Sequence, residues 1–250
     1  MTSFVVIIPA RWDSQRLPGK PLADIYGEPM IQRVVSQAQK SKASRVVVAT
    51  DHESVATALQ GSGCETVMTS PALQSGTDRL AAAAEDLALD AGTIVVNLQG
   101  DEPLMPPECL NQVAEGLAQS NADMATLACR FGSSEMPSDV NSVKVVTADD
   151  GRALYFSRAV IPFDRDGISV PGSGIYRRHI GLYAYRVKFL REFVNWPCGE
   201  LENLEKLEQL RALQRGQWIQ VFEAVSDVPP GVDTEHDLEI ARLQFQEMNR

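Results

Sequence analysis

The sequence is short of the residues that build disulfide frameworks and zinc sites. In 250 residues it holds four cysteines, Cys64, Cys109, Cys129 and Cys198, and three histidines. The cysteines are far apart and none falls in a C-x-x-C pair, which argues against both a disulfide scaffold and a zinc site. They read as reduced, mostly buried thiols. Long apolar runs are also missing, since no stretch reaches the roughly 18 residues that cross a bilayer. The opening MTSFVVIIPAR has one short apolar run, no basic leader and no cleavage site, so no signal peptide is expected and the cytoplasm is the expected compartment. Positive charge is scarce: Lys+Arg 23 against Asp+Glu 33 gives a formal net charge of −10. That balance argues against nucleic acid and anionic membrane as partners, because both need a clustered positive surface. A small anionic ligand stays compatible, because a few local cations can outweigh a negative average.

What is present describes a soluble α/β chain. A chain of this length buries roughly 75% of its unfolded surface and needs no covalent staple. Phe4 to Ile8 is a continuous apolar run, as in a parallel strand covered on both faces. Met30, Ile31, Val34, Val35 and Ala38 then recur at helical spacing. Arg45 to Ala49 reads as a second strand closed by Thr50-Asp51, followed by a helix with Val55, Ala58 and Leu59. Val67 to Thr69 reads as a third strand, Asp78 to Leu89 as a helix, and Thr93 to Leu98 as a fourth strand. Strands alternating with helices predict a mostly parallel, Rossmann-like sheet with right-handed crossovers.

The second half changes character. Val143 to Val146 and Ala153 to Phe156, joined through Asp149-Asp150-Gly151, predict a hairpin. His179 to Tyr185 alternates as a strand does. Leucines at 201, 204, 207, 210 and 213 predict one amphipathic helix. Gln217 to Ala224 reads as a late strand, and Thr234 to Asp237 as a capping box that opens a C-terminal helix. The Pro-Gly-Ser-Gly run at 171–174 reads as a mobile loop. With no repeat and no linker, 1–250 is expected to be one domain with a smaller antiparallel addition.

In open α/β sheets, ligands bind beyond the carboxyl ends of the strands. After the first strand, Arg11, Arg16 and Lys20 crowd one loop of an acidic chain, with Ser14 among them. Arginine forks and a mobile lysine suit phosphate oxygens. The loop is neither G-x-x-x-x-G-K-[ST] nor G-x-G-x-x-G, which argues against an ordinary P-loop ATPase and an NAD dehydrogenase. After the fourth strand comes Gln99-Gly100-Asp101-Glu102-Pro103, and near the C-terminus Gly231-Val232-Asp233-Thr234. Asp101 and Asp233 make the carboxylate pair that Mg²⁺ takes beside substrate phosphates, although each could instead cap a helix.

PARWDSQRLPGKPL, LQSGTDRL, NLQGDEP, ALYFSRAVIP, RHIGLYAYR, LENLEKLEQLR and GVDTEHDL follow one another along nearly the whole chain. Together they resemble the 3-deoxy-manno-octulosonate (KDO) cytidylyltransferase family. The resemblance implies a nucleotide-diphospho-sugar-transferase type of fold, with residues 1–130 mainly for nucleotide and 140–225 mainly for sugar and dimer contacts. It also implies a homodimer that uses Mg²⁺ to join CTP to KDO, giving CMP-KDO and pyrophosphate for lipopolysaccharide assembly. By position, Arg11 and Lys20 are expected on the triphosphate with Arg16 nearby. Backbone groups of Ala10 and of the turn Gln74, Ser75, Gly76 and Thr77, with Arg79, are expected around the cytosine, and Asp101 and Asp233 on the metal. Gln99, Arg158, Arg165, His179, Tyr183 and Glu208 are expected around the sugar acid. Trp12-Asp13, Asp78 in place of Glu and Glu200 in place of Pro depart from the family pattern.

His179 and Tyr183, four apart on one strand, are read as facing the same side. Glu208 is read as a hydroxyl acceptor and Glu205 as evenly balanced between surface and structural roles. His52 and His236 are read as surface groups. Three rivals compete with this reading: a cytidylyltransferase for 8-amino-KDO or sialic acid, a glycosyltransferase, and a nucleotide-binding protein without catalysis. Gly100 breaks the Asp-x-Asp spacing that a glycosyltransferase favours.

Overall fold

Every residue of β1 (Phe4–Ala10) is buried. Its side chains alternate between two cores. Phe4, Val6 and Ile8 pack on one face of the sheet, and Val5 and Ile7 on the other. Each such buried side chain contributes about 1.5–3 kcal/mol over its exposed state. The structure, a computed structural model, describes residues 2–13, 17–132, 136–167 and 174–248. Among the described residues no helix is long and apolar enough to cross a membrane.

After β1 come a single 3-10 turn at Lys20–Leu22, a small hairpin of β2 (Asp24–Ile25) and β3 (Glu28–Pro29), and α1 (Met30–Gln39). The pattern continues with β4 (Arg45–Thr50), α2 (Glu53–Ala58), β5 (Glu65–Met68), α3 (Gly76–Asp86), β6 (Ile94–Asn97), α4 (Pro107–Gln119) and β7 (Met124–Arg130). The second half supplies β8 (Lys144–Thr147), β9 (Ala153–Ser157), β10 (Arg177–Arg186), α5 (Val187–Phe193), α6 (Glu200–Glu205), α7 (Leu210–Gln214), β11 (Ile219–Glu223) and α8 (Glu235–Met248).

The main sheet runs β11-β7-β10-β6-β1-β4-β5, with β8 and β9 branching from β10. β1 is parallel to both β4 and β6, whereas β10 runs antiparallel between β6 and β7. The chain first builds outward through β4 and β5, then returns to the other side of β1 to form β6. The order reverses between β1 and β6, and a crevice opens at their carboxyl ends.

The mostly parallel sheet and the hairpin agree with the sequence reading, but two expectations change. The leucine-striped segment is two short helices, α6 and α7, broken at Lys206 with φ 54°. A three-residue repeat drifts about 60° per step around an α-helix, so it cannot hold one face. Leu204 is accordingly 81% exposed. Of the four free thiols only Cys109 is buried, and Cys198 is exposed. The 171–174 run lies outside the described residues except for Gly174.

The His179/Tyr183 expectation holds by a different route. Register shifts between Ile180 and Tyr183, where β10 carries extra residues relative to β7. The Thr126 hydroxyl sits at this bulge, 3.0 and 2.9 Å from the Ile180 and Leu182 carbonyls. His179 and Tyr183 pair with Ala128 and Thr126, two apart on β7, so both rings face one side.

Candidate active site

The crevice between the ends of β1 and β6 is a cavity of about 580 Å³. Ala10, Arg11, Lys20, Ser75, Gly76, Arg79, Gln99, Gly100, Asp101 and Asp233 line it together with Pro9, Pro21, Leu73 and Gln74. Gly100 lets the two strand ends approach, because a Cβ there would stand 2.9 Å from the Pro9 carbonyl oxygen. The segment before α8 is tied in by Val232 N–H, which donates to the Asp101 carbonyl at 2.8 Å. Thr234 and Asp237 then close a reciprocal cap that opens α8, with Thr234 N donating to Asp237 Oδ2 at 2.8 Å. Two aspartates far apart along the chain therefore meet on one wall.

Lys20 Nζ lies between them. It donates to Asp101 Oδ2 at 2.6 Å and to Asp233 Oδ1 at 3.1 Å. The point where both carboxylates converge thus already holds a cation. Glu102, beside this pair, was not singled out in the sequence although it falls within NLQGDEP. Burial, followed by the negative charges of Asp101 and Asp233, pushes its carboxyl up to about 8, against the opposing pull of Arg178. Its Oε2 is buried with no hydrogen-bond partner.

The opposite wall is the turn into α3. Ser75 caps the helix by accepting from Asp78 N at 3.0 Å, and Asp78 Oδ2 accepts from Ser75 N at 3.0 Å. Asp in place of Glu therefore preserves the box. Arg79 is buried, pairs with Asp51 Oδ2 at 2.8 Å and also donates to the Thr69 hydroxyl. Asp51 Oδ1 accepts from Trp12 N at 2.9 Å, so one carboxylate joins the loop after β1 to α3. The Trp12 ring stacks on His52 with centroids 4.0 Å apart. His52 is thus a packed residue and the α2 N-cap, accepting from Ser54 N at 3.2 Å, which corrects its reading as a surface group. His236 is exposed as expected.

A second cavity of about 190 Å³ opens off the first, and Gly76 and Gln99 line both. Its other walls are Thr77, Asn97, Met124, Tyr183, Tyr185, Phe193, Glu208 and Gln209. Gln99 is oriented by its amide, which donates to Asn97 Oδ1 at 3.1 Å. Glu208 Oε2 accepts from the Thr77 hydroxyl at 2.5 Å. Burial raises the Glu208 carboxyl above its ordinary value, against the opposing effect of Thr77 and Arg211. Burial also raises the Tyr183 phenol well above its usual range, with Tyr185 and Glu208 adding to the effect. Tyr183 Oη, Glu208 Oε1 and Gln209 Nε2 are buried in this cavity without hydrogen-bond partners.

Four residues expected at the site stand elsewhere or outside view. Arg158 lines neither cavity. Its guanidinium donates to the Glu205 carbonyl at 2.7 Å and the Val140 carbonyl at 2.9 Å, and its backbone N–H donates to Glu205 Oε2 at 2.9 Å. That network makes Glu205 structural. Arg165 is exposed on the following loop and lines neither cavity. His179 sits behind Tyr183, with its Nε2 3.1 Å from the Thr126 hydroxyl and its ring edge-on to Phe156. Burial and the neighbouring Arg178 push its imidazole down to about 3, so it is neutral at pH 7. Arg16 lies outside the described residues. Sequence reasoning missed Tyr185 and Gln209, although each falls within a motif it had singled out, and it placed Thr77 on the nucleotide side, whereas Thr77 lines the smaller cavity.

Residues 5–220 match the sequence pattern of a family described as cytidylyltransferase. A protein of Haemophilus influenzae strain PittEE, named 3-deoxy-manno-octulosonate cytidylyltransferase, is 53% identical over 96% of this chain and 98% of its own length. Proteins of the same name from Tolumonas auensis and Vibrio cholerae strain M66-2 are each 51% identical over 96% of both chains. A solved structure of CMP:2-keto-3-deoxy-manno-octonic acid synthetase complexed with CTP superposes with a TM-score of 0.90 at 38% identity. The match covers 99% of this chain and all of that one.

Proposed function

The chain belongs to the cytidylyltransferase family, and we propose on that footing that it transfers CMP from CTP to the anomeric 2-hydroxyl of KDO. CMP-KDO and pyrophosphate are the products, and lipopolysaccharide assembly is the use. The observation that carries this reading is a large cleft with a cationic and a carboxylate wall that opens through Gln99 into a smaller polar cavity. The large cleft takes the nucleotide, and the smaller cavity takes the sugar acid.

The hydroxyl oxygen attacks the α-phosphorus, the bond to pyrophosphate breaks and one proton leaves the hydroxyl. Such transfers depend mainly on positioning and charge neutralisation. Arg11, exposed at the cleft wall, meets the triphosphate. Lys20 is a mobile point charge that turns from the carboxylates to phosphate oxygens. Ala10 and the Ser75-Gly76 turn enclose the base, and the buried Arg79–Asp51 pair keeps that turn in place. Gln99 stands at the seam and orients the acceptor toward the phosphate.

Asp101 and Asp233 fit a magnesium ion. They are hard oxygen donors that already converge on one cationic nitrogen. Among the described residues no group of three or more His, Cys, Asp or Glu forms a fuller cage. One or two carboxylates completed by phosphate oxygens and water is the usual magnesium environment. The ion would supply charge neutralisation at the phosphates and help to orient the attacking hydroxyl.

The chain works as a homodimer in this reading. Leu154, on β9, is 59% exposed and Phe163, on the loop that follows it, is 84% exposed, and a second copy would cover such apolar side chains. The reaction is tested by pyrophosphate release across a matrix of nucleoside triphosphates and sugar acids. CTP with KDO gives the highest rate; preference for UTP with a neutral sugar phosphate overturns the assignment.

A further inference from the structure

The two cavities meet along the first turn of α3, where Ser75 and Gly76 line the large one and Gly76 and Thr77 the small one. Thr77 is 3% exposed, and its hydroxyl donates to Glu208 Oε2 at 2.5 Å across 131 residues of sequence. Glu208 follows the left-handed Lys206 that ends α6 and precedes α7, so no regular helix fixes its side chain. Arg211 cannot fix it either. That guanidinium is held by Glu202 at 2.8 and 2.6 Å and stands 3.6 Å from Glu208 Oε1, beyond hydrogen-bond reach. Glu208 Oε1 therefore remains in the small cavity as a buried acceptor without a hydrogen-bond partner.

We propose that Thr77 is a positioning residue for the sugar acid: it fixes one oxygen of Glu208 so that the other receives a hydroxyl of the acceptor. This rests on the cytidylyltransferase reading above. The physical reason is orientational. A carboxylate with one oxygen tethered presents the other in a single direction, so less rotational freedom is lost when the acceptor binds. The tether is anchored in the turn that encloses the base, so the nucleotide and acceptor pockets share one rigid support.

The test compares Thr77→Val, which keeps the shape and removes the hydroxyl, with Thr77→Ser, which keeps the hydroxyl. In Thr77→Val the KM for KDO rises about five- to tenfold while the KM for CTP stays within about twofold. Thr77→Ser restores the KM for KDO. An unchanged KM for KDO in Thr77→Val, or equal rises for both substrates, overturns the proposal. Pyrophosphate release by the unmodified chain, run alongside, reports on the cytidylyltransferase reading itself. A crystal structure of Thr77→Val decides the tether without any turnover: Glu208 moves from its place if the proposal holds, and Glu208 unmoved contradicts it.

Discussion

The large and small cavities share Gly76 and Gln99 yet treat their polar groups in opposite ways. In the large cavity the charges answer one another, with Lys20 between Asp101 and Asp233 and Arg79 on Asp51. In the small one, Tyr183 Oη, Glu208 Oε1 and Gln209 Nε2 have no hydrogen-bond partner. On the proposed assignment of the two cavities, binding on the nucleotide side exchanges one set of charge partners for another. Binding on the acceptor side adds partners that were missing, and each missing one costs the ligand-free fold about 1–3 kcal/mol. A hydroxyl-rich sugar acid removes that cost; a ligand with a smooth apolar surface does not.

The strongest way to break this contrast is to remove charge from the large cavity. Asp101→Asn and Asp233→Asn each lower kcat by about a thousandfold, because the lost charge stabilises the transition state. Circular dichroism should show the fold intact, and full activity in either variant removes that residue from the site. Asp51→Ala comes next. It leaves the buried Arg79 without a counter-charge and costs about 3–5 kcal/mol in urea unfolding, whereas a loss below about 1 kcal/mol would mean water screens the pair. On the acceptor side, Tyr183→Phe removes an unsatisfied hydroxyl. It raises the KM for KDO about tenfold, leaves the KM for CTP nearly unchanged and raises the unfolding midpoint, because the ligand-free fold no longer carries an unpartnered hydroxyl. A shift in both constants would place the hydroxyl outside the acceptor pocket.

The smallest effect belongs to His179, behind that pocket. Its folded value near 3 lies below the ordinary 6.5, so below pH 6.5 the unfolded chain binds the extra proton. Stability contributed by the neutral ring is therefore complete above pH 6.5 and falls as pH drops toward 3. The loss is about 1 kcal/mol between pH 6.5 and 5.5. His179→Asn flattens the pH dependence of the urea midpoint in that range, and an unchanged slope would show that the ring is solvated.

The contrast also separates what the sequence reveals from what it hides. β1, β4 and β6 are legible because buried parallel strands are short apolar runs, and the switch-point rule then directs attention to Arg11, Lys20 and Asp101. Asp233 is legible as a spare carboxylate beside a helix cap. The Thr77–Glu208 and Asp51–Arg79 contacts are not, because no local pattern marks a partner 131 or 28 residues away. The break between α6 and α7 is hidden because it depends on a lysine in a left-handed conformation, which carries no glycine signature. Arg158, Arg165 and His179 entered through resemblance alone, and the fold gives Arg158 and His179 structural partners.

The central claim is that Asp101 and Asp233 jointly hold a divalent ion beside the triphosphate in the place where Lys20 now stands. The direct measurement is a crystal grown with Mn²⁺ and CTP and recorded at the manganese absorption edge. An anomalous peak within bonding distance of both carboxylates, with the Lys20 ammonium moved onto phosphate oxygens, is the predicted result. A peak held by phosphates alone, with Lys20 still clasped between the two aspartates, contradicts it.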